Sequence, residues 1–246
     1  MVRVIKKKIF LKGKFYNAGC LSTIGVLPNS RDMGYGKILM EKTNQYLGKK
    51  FDILILIARK KLDFFYSKFN FIGNSEFYSV FLNFKKKKYD NEDLKKFKFY
   101  SYDIRQINEN LKKLYINSNK KKSGYFYRKK HDWKIINNKI HQNKFSMKEF
   151  IYKNKSIGYI VFKKNCIYEY GYNIRYLKYF IHVVKTIFRR QLEIKNPNQS
   201  IINELKKNDE IIIYKRLCVY GGHMINVNDN KELKNIYYNI NYLDEF

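Results

Sequence analysis

The chain has 246 residues, and its 51 Lys and Arg outweigh 21 Asp and Glu to give a formal charge of +30. Hydrophobic residues at 45% and aromatics at 17% exclude a disordered tail, while 12 Gly and 2 Pro exclude collagen-like and linker sequences. The longest apolar run, Ile53 to Ala58, is far short of the ~20 residues a membrane helix needs, so no membrane span is expected.

A charged alternation over Val2 to Lys8 stands where the apolar core of a secretion signal would lie. Cys20, Cys166 and Cys218 are scattered and odd in number, which reads as free thiols in a cytoplasmic protein. The basic excess is 42 Lys against 9 Arg, accompanied by many Asn, Ile, Tyr and Phe. All of these but Arg use A/T-rich codons, so a skewed genome supplies such lysines on solvated faces. A reader of nucleic-acid sequence would lean on the bidentate fork of Arg. No specific nucleic acid is therefore expected as a partner, with electrostatic attraction of anions as the other reading of the charge.

In chain order, Val2 to Leu11 and Leu21 to Leu27 read as strands, and Pro28-Asn29-Ser30 as a turn. Ile38, Leu39 and Tyr46, with Met40 and Leu47 beside them, give Gly34 to Leu47 a helical spacing. Phe51 to Ile57 is apolar enough for a strand buried on both faces; Lys60 to Phe69 reads as a short helix and Phe77 to Phe84 as a strand. The charge run Lys85 to Lys96 is the expected boundary. Beyond it come a strand (Phe97 to Tyr102) and helices (Ile104 to Ile116, Tyr127 to Ile140). Strands at Phe150 to Lys153, Ile157 to Phe162 and Ile167 to Tyr172 precede a helix (Tyr176 to Arg190) and a strand (Glu210 to Val219). The pattern predicts an α+β protein with two similar domains, 1–88 and 97–220, and a C-terminal tail, 221–246.

The chemistry concentrates where the first half turns from strand to helix. After Leu21-Ser-Thr-Ile-Gly-Val-Leu-Pro come Arg31-Asp32-Met33-Gly34-Tyr35-Gly36-Lys37 and the helix. Glycines admit a close backbone approach, and the free N–H groups and dipole of a helix start favour a phosphate. Arg31 adds a charge-assisted donor at the same end. The order predicts a pyrophosphate cradle; the Gly-Lys-Ser/Thr ending of a Walker loop is absent. His131, His141, His182 and His223 show no metal spacing with one another or with the cysteines, so no metal is expected.

Ile24 to Met40 resembles the acetyl-CoA-binding motif of the GNAT acetyltransferases, and Phe64-Phe-Tyr-Ser-Lys-Phe-Asn-Phe71 resembles that superfamily's aromatic-Tyr motif. The resemblance implies a mixed sheet with flanking helices, splayed around the pantetheine arm of acetyl-CoA as co-substrate. It implies that the backbone of Ile24, Gly25 and Val26 lies along the pantetheine and that the amides from Arg31 to Lys37 hold the pyrophosphate. Tyr66 is then the general acid for the departing thiolate, and Asn70 stands where the family has Gly.

Arg128, Trp133, Ser156 to Phe162 and Ile167 to Tyr170 resemble the middle domain of two-lobed members of the enhanced-intracellular-survival type. Against that pattern the chain is expected to be shortened at both ends. The implied activity is transfer of an acetyl group to a primary amine on a small molecule or protein, homo-oligomerisation being left open. The alternative is a non-catalytic acetyl-CoA binder or a basic scaffold for nucleic acid. Asp132 and Glu169 are weaker candidates for a base.

Overall fold

A computed structural model describes residues 1–73, 77–83, 100–120, 122, 124–188, 191–207, 211–216, 222–228, 233 and 244. The chain opens as a hairpin of β1 (Arg3–Leu11) and β2 (Lys14–Ser22). Lys12 and Gly13 turn it with φ of 43° and 80°, the left-handed pair that matches the twist of the flanking strands. This tight turn starts the second strand at Lys14, whereas the sequence pattern placed it at Leu21 to Leu27.

A 3₁₀ turn at Pro28–Ser30 follows, then α1 (Tyr35–Leu47), β3 (Ile53–Ala58) and α2 (Asp63–Ser67). The first sheet has the order β12-β3-β2-β1-β6, with β6 at Tyr125–Tyr127 and β12 at Gly222–Asn226. Only β2 and β3 run parallel, and α1 makes the crossover between them. The face of α1 on the sheet carries Met40, Thr43 and Leu47. Ile38 and Tyr46, part of the same apolar spacing, are 49% and 61% exposed.

Helix α2 ends in a Schellman motif. Asn70 has φ 63°; its N–H bonds the Ser67 carbonyl at 3.1 Å, and the Phe71 N–H reaches the Tyr66 carbonyl at 3.4 Å. The rings of Tyr66 and Phe71 pack edge to face across the motif, centroids 6.3 Å apart. Asn serves where glycine is usual because its short polar side chain tolerates the left-handed region. Asn70→Gly should leave stability unchanged or slightly raised, and Asn70→Val should cost about 1–2 kcal/mol in urea denaturation.

The second sheet has the order β11-β4-β10-β9-β8-β7-β5. Its strands are β4 (Phe77–Asn83), β5 (Tyr100–Asp103), β7 (Ser146–Tyr152), β8 (Lys155–Lys163), β9 (Cys166–Tyr172), β10 (Gln191–Lys195) and β11 (Ile211–Arg216). Helices α3 (Glu109–Asn119), α4 (Lys130–Gln142), α5 (Leu177–Ile187) and α6 (Gln199–Lys206) pack on it. Asn108 caps α3 through the Leu111 N–H at 3.1 Å, which delays the helix from the expected Ile104.

Sheet membership crosses the domain limits expected from sequence. β4 lies in the second sheet because Val80 and Leu82 join its core, whereas β6 and β12 bring Phe126 and Ile225 to the first. The run Lys85 to Lys96, Cys218 and most of 221–246 lie outside the described residues.

The two sheets are stitched by a buried charge network. Arg128, just after β6, donates from Nε to Asp244 Oδ1 at 2.7 Å and from Nη2 to Glu169 Oε2 at 2.5 Å and Asp244 Oδ2 at 2.9 Å. Tyr159 and Tyr115 donate to the same carboxylates at 3.0 and 3.2 Å. The guanidinium stacks 3.9 Å from the Tyr115 ring centre and 4.6 Å from that of Trp133.

Lys122 lies buried beside this network, its Nζ 3.4 Å from the Asn196 carbonyl, and desolvation pulls its ammonium down to about 7. The folded value lies below the unfolded one, so the unfolded chain binds more protons between pH 7 and 10, and stability rises across that window. Denaturation midpoints should show a gain of roughly 3 kcal/mol from pH 7 to 10, and Lys122→Met should flatten the slope.

Candidate active site

Strands β2 and β3 pair from Ala18↔Ile53 to Leu21↔Leu56 and then part. β3 continues to Ala58 alongside β12, while the chain after β2 leaves the sheet. A bulge drives the parting. β1 and β2 keep one register up to Arg3↔Ser22, yet Gly25 exchanges bonds with Met1. The Gly25 N–H donates to the Met1 carbonyl at 3.0 Å, and the Met1 ammonium donates to the Gly25 carbonyl at 2.7 Å. One residue is inserted, and Thr23 absorbs it with φ 52°. Among the described residues the amides of Ile24 and Val26, either side of the engaged Gly25, form no hydrogen bond. A parted strand edge with unspent N–H groups is a backbone surface that an extended amide-bearing ligand can join.

The start of α1 is likewise unspent. Gly34 caps it at φ 79°, a conformation that makes Gly the residue of choice, with no side-chain cap and no acidic residue in the first turn. The amides of Arg31 and Lys37 are consumed internally, by the Pro28 and Gly34 carbonyls. Those of Asp32, Met33, Gly34, Tyr35 and Gly36 form no hydrogen bond among the described residues, which narrows the cradle expected from Arg31 to Lys37. A Cβ at Gly36 would meet only Phe65 at 3.8 Å, so neither packing nor backbone conformation demands glycine there. Room for something that approaches the backbone explains it better.

Beside this cradle lies an apolar cavity of about 680 Å³, lined among others by Met1, Val26, Leu27, Tyr35, Ile38 and Leu39. Ile38 and Leu39, which helped to give this segment its helical spacing, face the cavity. The spacing Tyr35, Ile38, Leu39, Lys42 marks a second apolar helix face, offset from Met40, Thr43 and Leu47, and is the signal that could have found this wall.

Tyr66 lies on α2, the helix that follows β3. It is 7% exposed, packed with Leu21, Met40, Leu56 and Phe71, and its ring is 5.2 Å from that of Phe65, the residue against Gly36. The hydroxyl has no hydrogen-bond partner among the described residues. Burial raises its pKa, so the phenol holds its proton through the neutral range.

Other candidates are engaged structurally. Glu169 belongs to the Arg128 network, and Asp132 pairs with Lys7. Burial pushes both thiols up, Cys166 to about 12, and pulls His223 down to about 3, leaving it neutral. Among the described residues no three His, Cys, Asp or Glu side chains gather as a metal group.

The second lobe repeats the parallel crossover, β9 to α5 to β10, but its parting is filled. The Tyr170 hydroxyl donates to the Asn196 carbonyl at 3.2 Å and accepts the Asn198 N–H at 2.7 Å. Tyr172 and Asn198 join side chains at 2.8 Å. Among the described residues only the first lobe keeps an open crossover.

No protein-family profile and no curated protein sequence matches the chain. Solved structures do. A GCN5-related N-acetyltransferase from Anabaena variabilis superposes with a TM-score of 0.65 at 14% identity, over 92% of this chain and 59% of that one. Eis1 from Mycobacterium abscessus gives 0.63 at 12%, over 91% and 60%. A GCN5-related N-acetyltransferase from Kribbella flavida gives 0.59 at 11%, over 91% and 56%. The chain thus spans about three fifths of the length of these structures. No helix among the described residues is long and apolar enough to cross a membrane. With two mixed sheets, a bulged and parted parallel crossover and a glycine-capped helix, the chain has the two-lobed α+β fold of the GNAT acetyltransferases.

Proposed function

We propose that the chain binds acetyl-CoA in the first lobe and transfers the acetyl group to a primary amine. The observation that carries this is the parted crossover: among the described residues, the unspent amides of Ile24 and Val26, just past the end of β2, are followed across a short turn by five unspent amides at a helix start. The Ile24 and Val26 amides suit the amide-bearing pantetheine, and the amides of Asp32 to Gly36, with Arg31 and the helix dipole, suit a pyrophosphate. The co-substrate supplies an activated thioester. This chain's part is to orient it, to offer a backbone N–H to the developing oxyanion, and to hold a proton on the Tyr66 hydroxyl for the leaving sulfur. The acceptor is an amine-bearing small molecule or protein. The free thiols of Cys20 and Cys166 fit a cytoplasmic enzyme.

A ligand that binds only the native state stabilises it, by about 2.7 kcal/mol at a hundredfold excess over Kd. CoA should therefore raise Tm by roughly 5–10 °C in a chain this size. Gly34→Val, which forces a β-branched residue to φ 79°, should remove that rise. An unchanged Tm at millimolar CoA would refute the reading.

One observation favours a second reading, binding without turnover: Tyr66 is packed in the core, and its side chain does not line the apolar cavity. Release of the CoA thiol that depends on added amine separates the two.

A further inference from the structure

Helix α1 covers only part of the first sheet's face. Cross-strand partners share a face, and the pairs Lys6↔Gly19, Lys8↔Asn17, Lys8↔Tyr127 and Phe10↔Phe15 put Lys6, Lys8, Phe15, Asn17 and Tyr127 on one side. That side also holds Leu21, Leu54 and Leu56, which pack against Met40 and Leu47 of α1. The Phe51 ring closes this covered region, standing where a Cβ on Gly19 would be 2.9 Å from it. Beyond Phe51 the face opens into a cavity of about 300 Å³ lined by Lys6, Lys8, Lys50, Lys129, Asn17 and Tyr127.

The charge of the lining is one-sided, with Asp52 at its edge accepting the Asn17 N–H at 2.7 Å. Asp132, the acidic member of the lining, is paired with Lys7, and among the described residues Lys6, Lys8 and Lys129 form no ion pair. Exposed rings flank the lysines. Phe15 and Tyr127 are 49% and 43% exposed and pack edge to face, centroids 6.1 Å apart. Beside the patch Tyr46, also exposed, lies under the lining residue Lys50, whose Nζ is 3.8 Å from the ring centre. The hydrogen bond from Lys50, helped by its charge and by that of Lys6, holds the Tyr46 phenol below its usual range. Compositional drift scatters lysines over solvated surface; it does not gather four of them with three solvent-facing rings around one open patch.

We infer that this face is a platform for single-stranded nucleic acid, with phosphates held by Lys6, Lys8, Lys50 and Lys129 and bases stacked on Phe15, Tyr127 and Tyr46. Lysine is a point charge without the fork that reads base edges, and every base offers a stacking face, so the platform is indifferent to sequence. Duplex bases, already stacked, cannot use the rings. The platform lies by the start of β2, whereas Ile24 to Lys37 lie past its end, so it stands independently of the acetyl-CoA reading.

Fluorescence anisotropy with a labelled oligodeoxythymidine of about 16 nucleotides tests this. Four lysines on a single strand predict that log K falls with log salt at a slope of about −3, and the combined Lys6→Gln, Lys8→Gln, Lys129→Gln variant should bring the slope to about −0.7. Phe15→Ala and Tyr127→Ala should each weaken binding about tenfold at unchanged slope. Tyr46→Ala, on an exposed helix face, gives the same readout should Phe15→Ala disturb the hairpin. A duplex of equal length should bind more weakly. Equal affinity for duplex, ring variants that bind as wild type, or a slope unmoved by the lysine changes would each overturn the proposal. The CoA-induced Tm rise should survive in every variant, so failure here leaves the first-lobe reading untouched.

Discussion

Arg128→Met should cost the fold about 3–5 kcal/mol in urea denaturation, the range for removing one member of a buried ion network. Arg128 is the only cation that bonds both Glu169 and Asp244 among the described residues, and all three side chains are almost fully buried. Without it two carboxylates lose their charge-assisted donor in a region of low dielectric, and the tyrosine hydroxyls on them cannot replace that charge. Arg128→Lys should recover only part of the loss, because an ammonium cannot reach two carboxylates as a fork or stack on Tyr115 and Trp133 in the same way. Converting Arg128, Glu169 and Asp244 together to apolar residues of similar size should be far milder than the single change. A single variant within 1 kcal/mol of wild type would show that the network is not desolvated as the structure implies.

That network explains which parts of the molecule were legible beforehand. Elements whose signal is local came through. The Gly34 start of α1, the apolar run of β3 and the Asn70 turn each depend on the residues at that place. The two-lobed α+β fold followed from the strand and helix order and from two short motifs. Partnership was not legible. Nothing local tells β4 to leave the first half for the second sheet, or β6 and β12 to join the first, since a strand's sheet is chosen by which core buries its apolar face.

Short elements were missed for a related reason. β10 is five residues long and α6 eight, too brief for periodicity to stand out from loops. In the site, the loop from Ile24 to Lys37 was visible as a motif, but which of its amides are spent became visible only with the carbonyls of Met1, Pro28 and Gly34 in place. Glu169 and Asp132 were weak candidates for a base in a chain so rich in cations; which cations they pair with, Arg128 and Lys7, depends on residues far away in sequence.

The asymmetry between the lobes narrows where chemistry can occur. Both contain a strand, a helix crossover and a parallel strand, but in the second Tyr170, Tyr172 and Asn198 bond across the parting and satisfy the groups that a ligand would meet. The first lobe has no equivalent plug among the described residues, and its unspent amides point to the same conclusion as the glycine at position 36. Tyr66 follows β3, one of the two strands that part in the first lobe, on the helix Asp63–Ser67.

Tyr66→Phe should lower kcat and kcat/KM together, by about 10²–10⁴-fold, with CoA affinity nearly unchanged. A phenol that protonates a departing thiolate acts in the transition state and adds little to ground-state binding. The substitution isolates that role well, because the hydroxyl has no hydrogen-bond partner among the described residues and its loss strands no buried group. The ring contacts with Phe65 and Phe71 persist, so stability should move by less than about 1 kcal/mol. Burial raises the phenol's pKa, so the acid stays protonated at neutral pH, and the Tyr66-dependent rate should fall only as pH climbs past that raised value. Steady-state rates of amine-dependent CoA release from pH 6 to 10, with CoA binding measured separately, decide the matter. Undiminished kcat in Tyr66→Phe would remove the residue from the mechanism. A wild-type chain that binds CoA yet acetylates no amine would transfer the weight to the binding reading, in which Tyr66 is a packing residue of the first lobe's core.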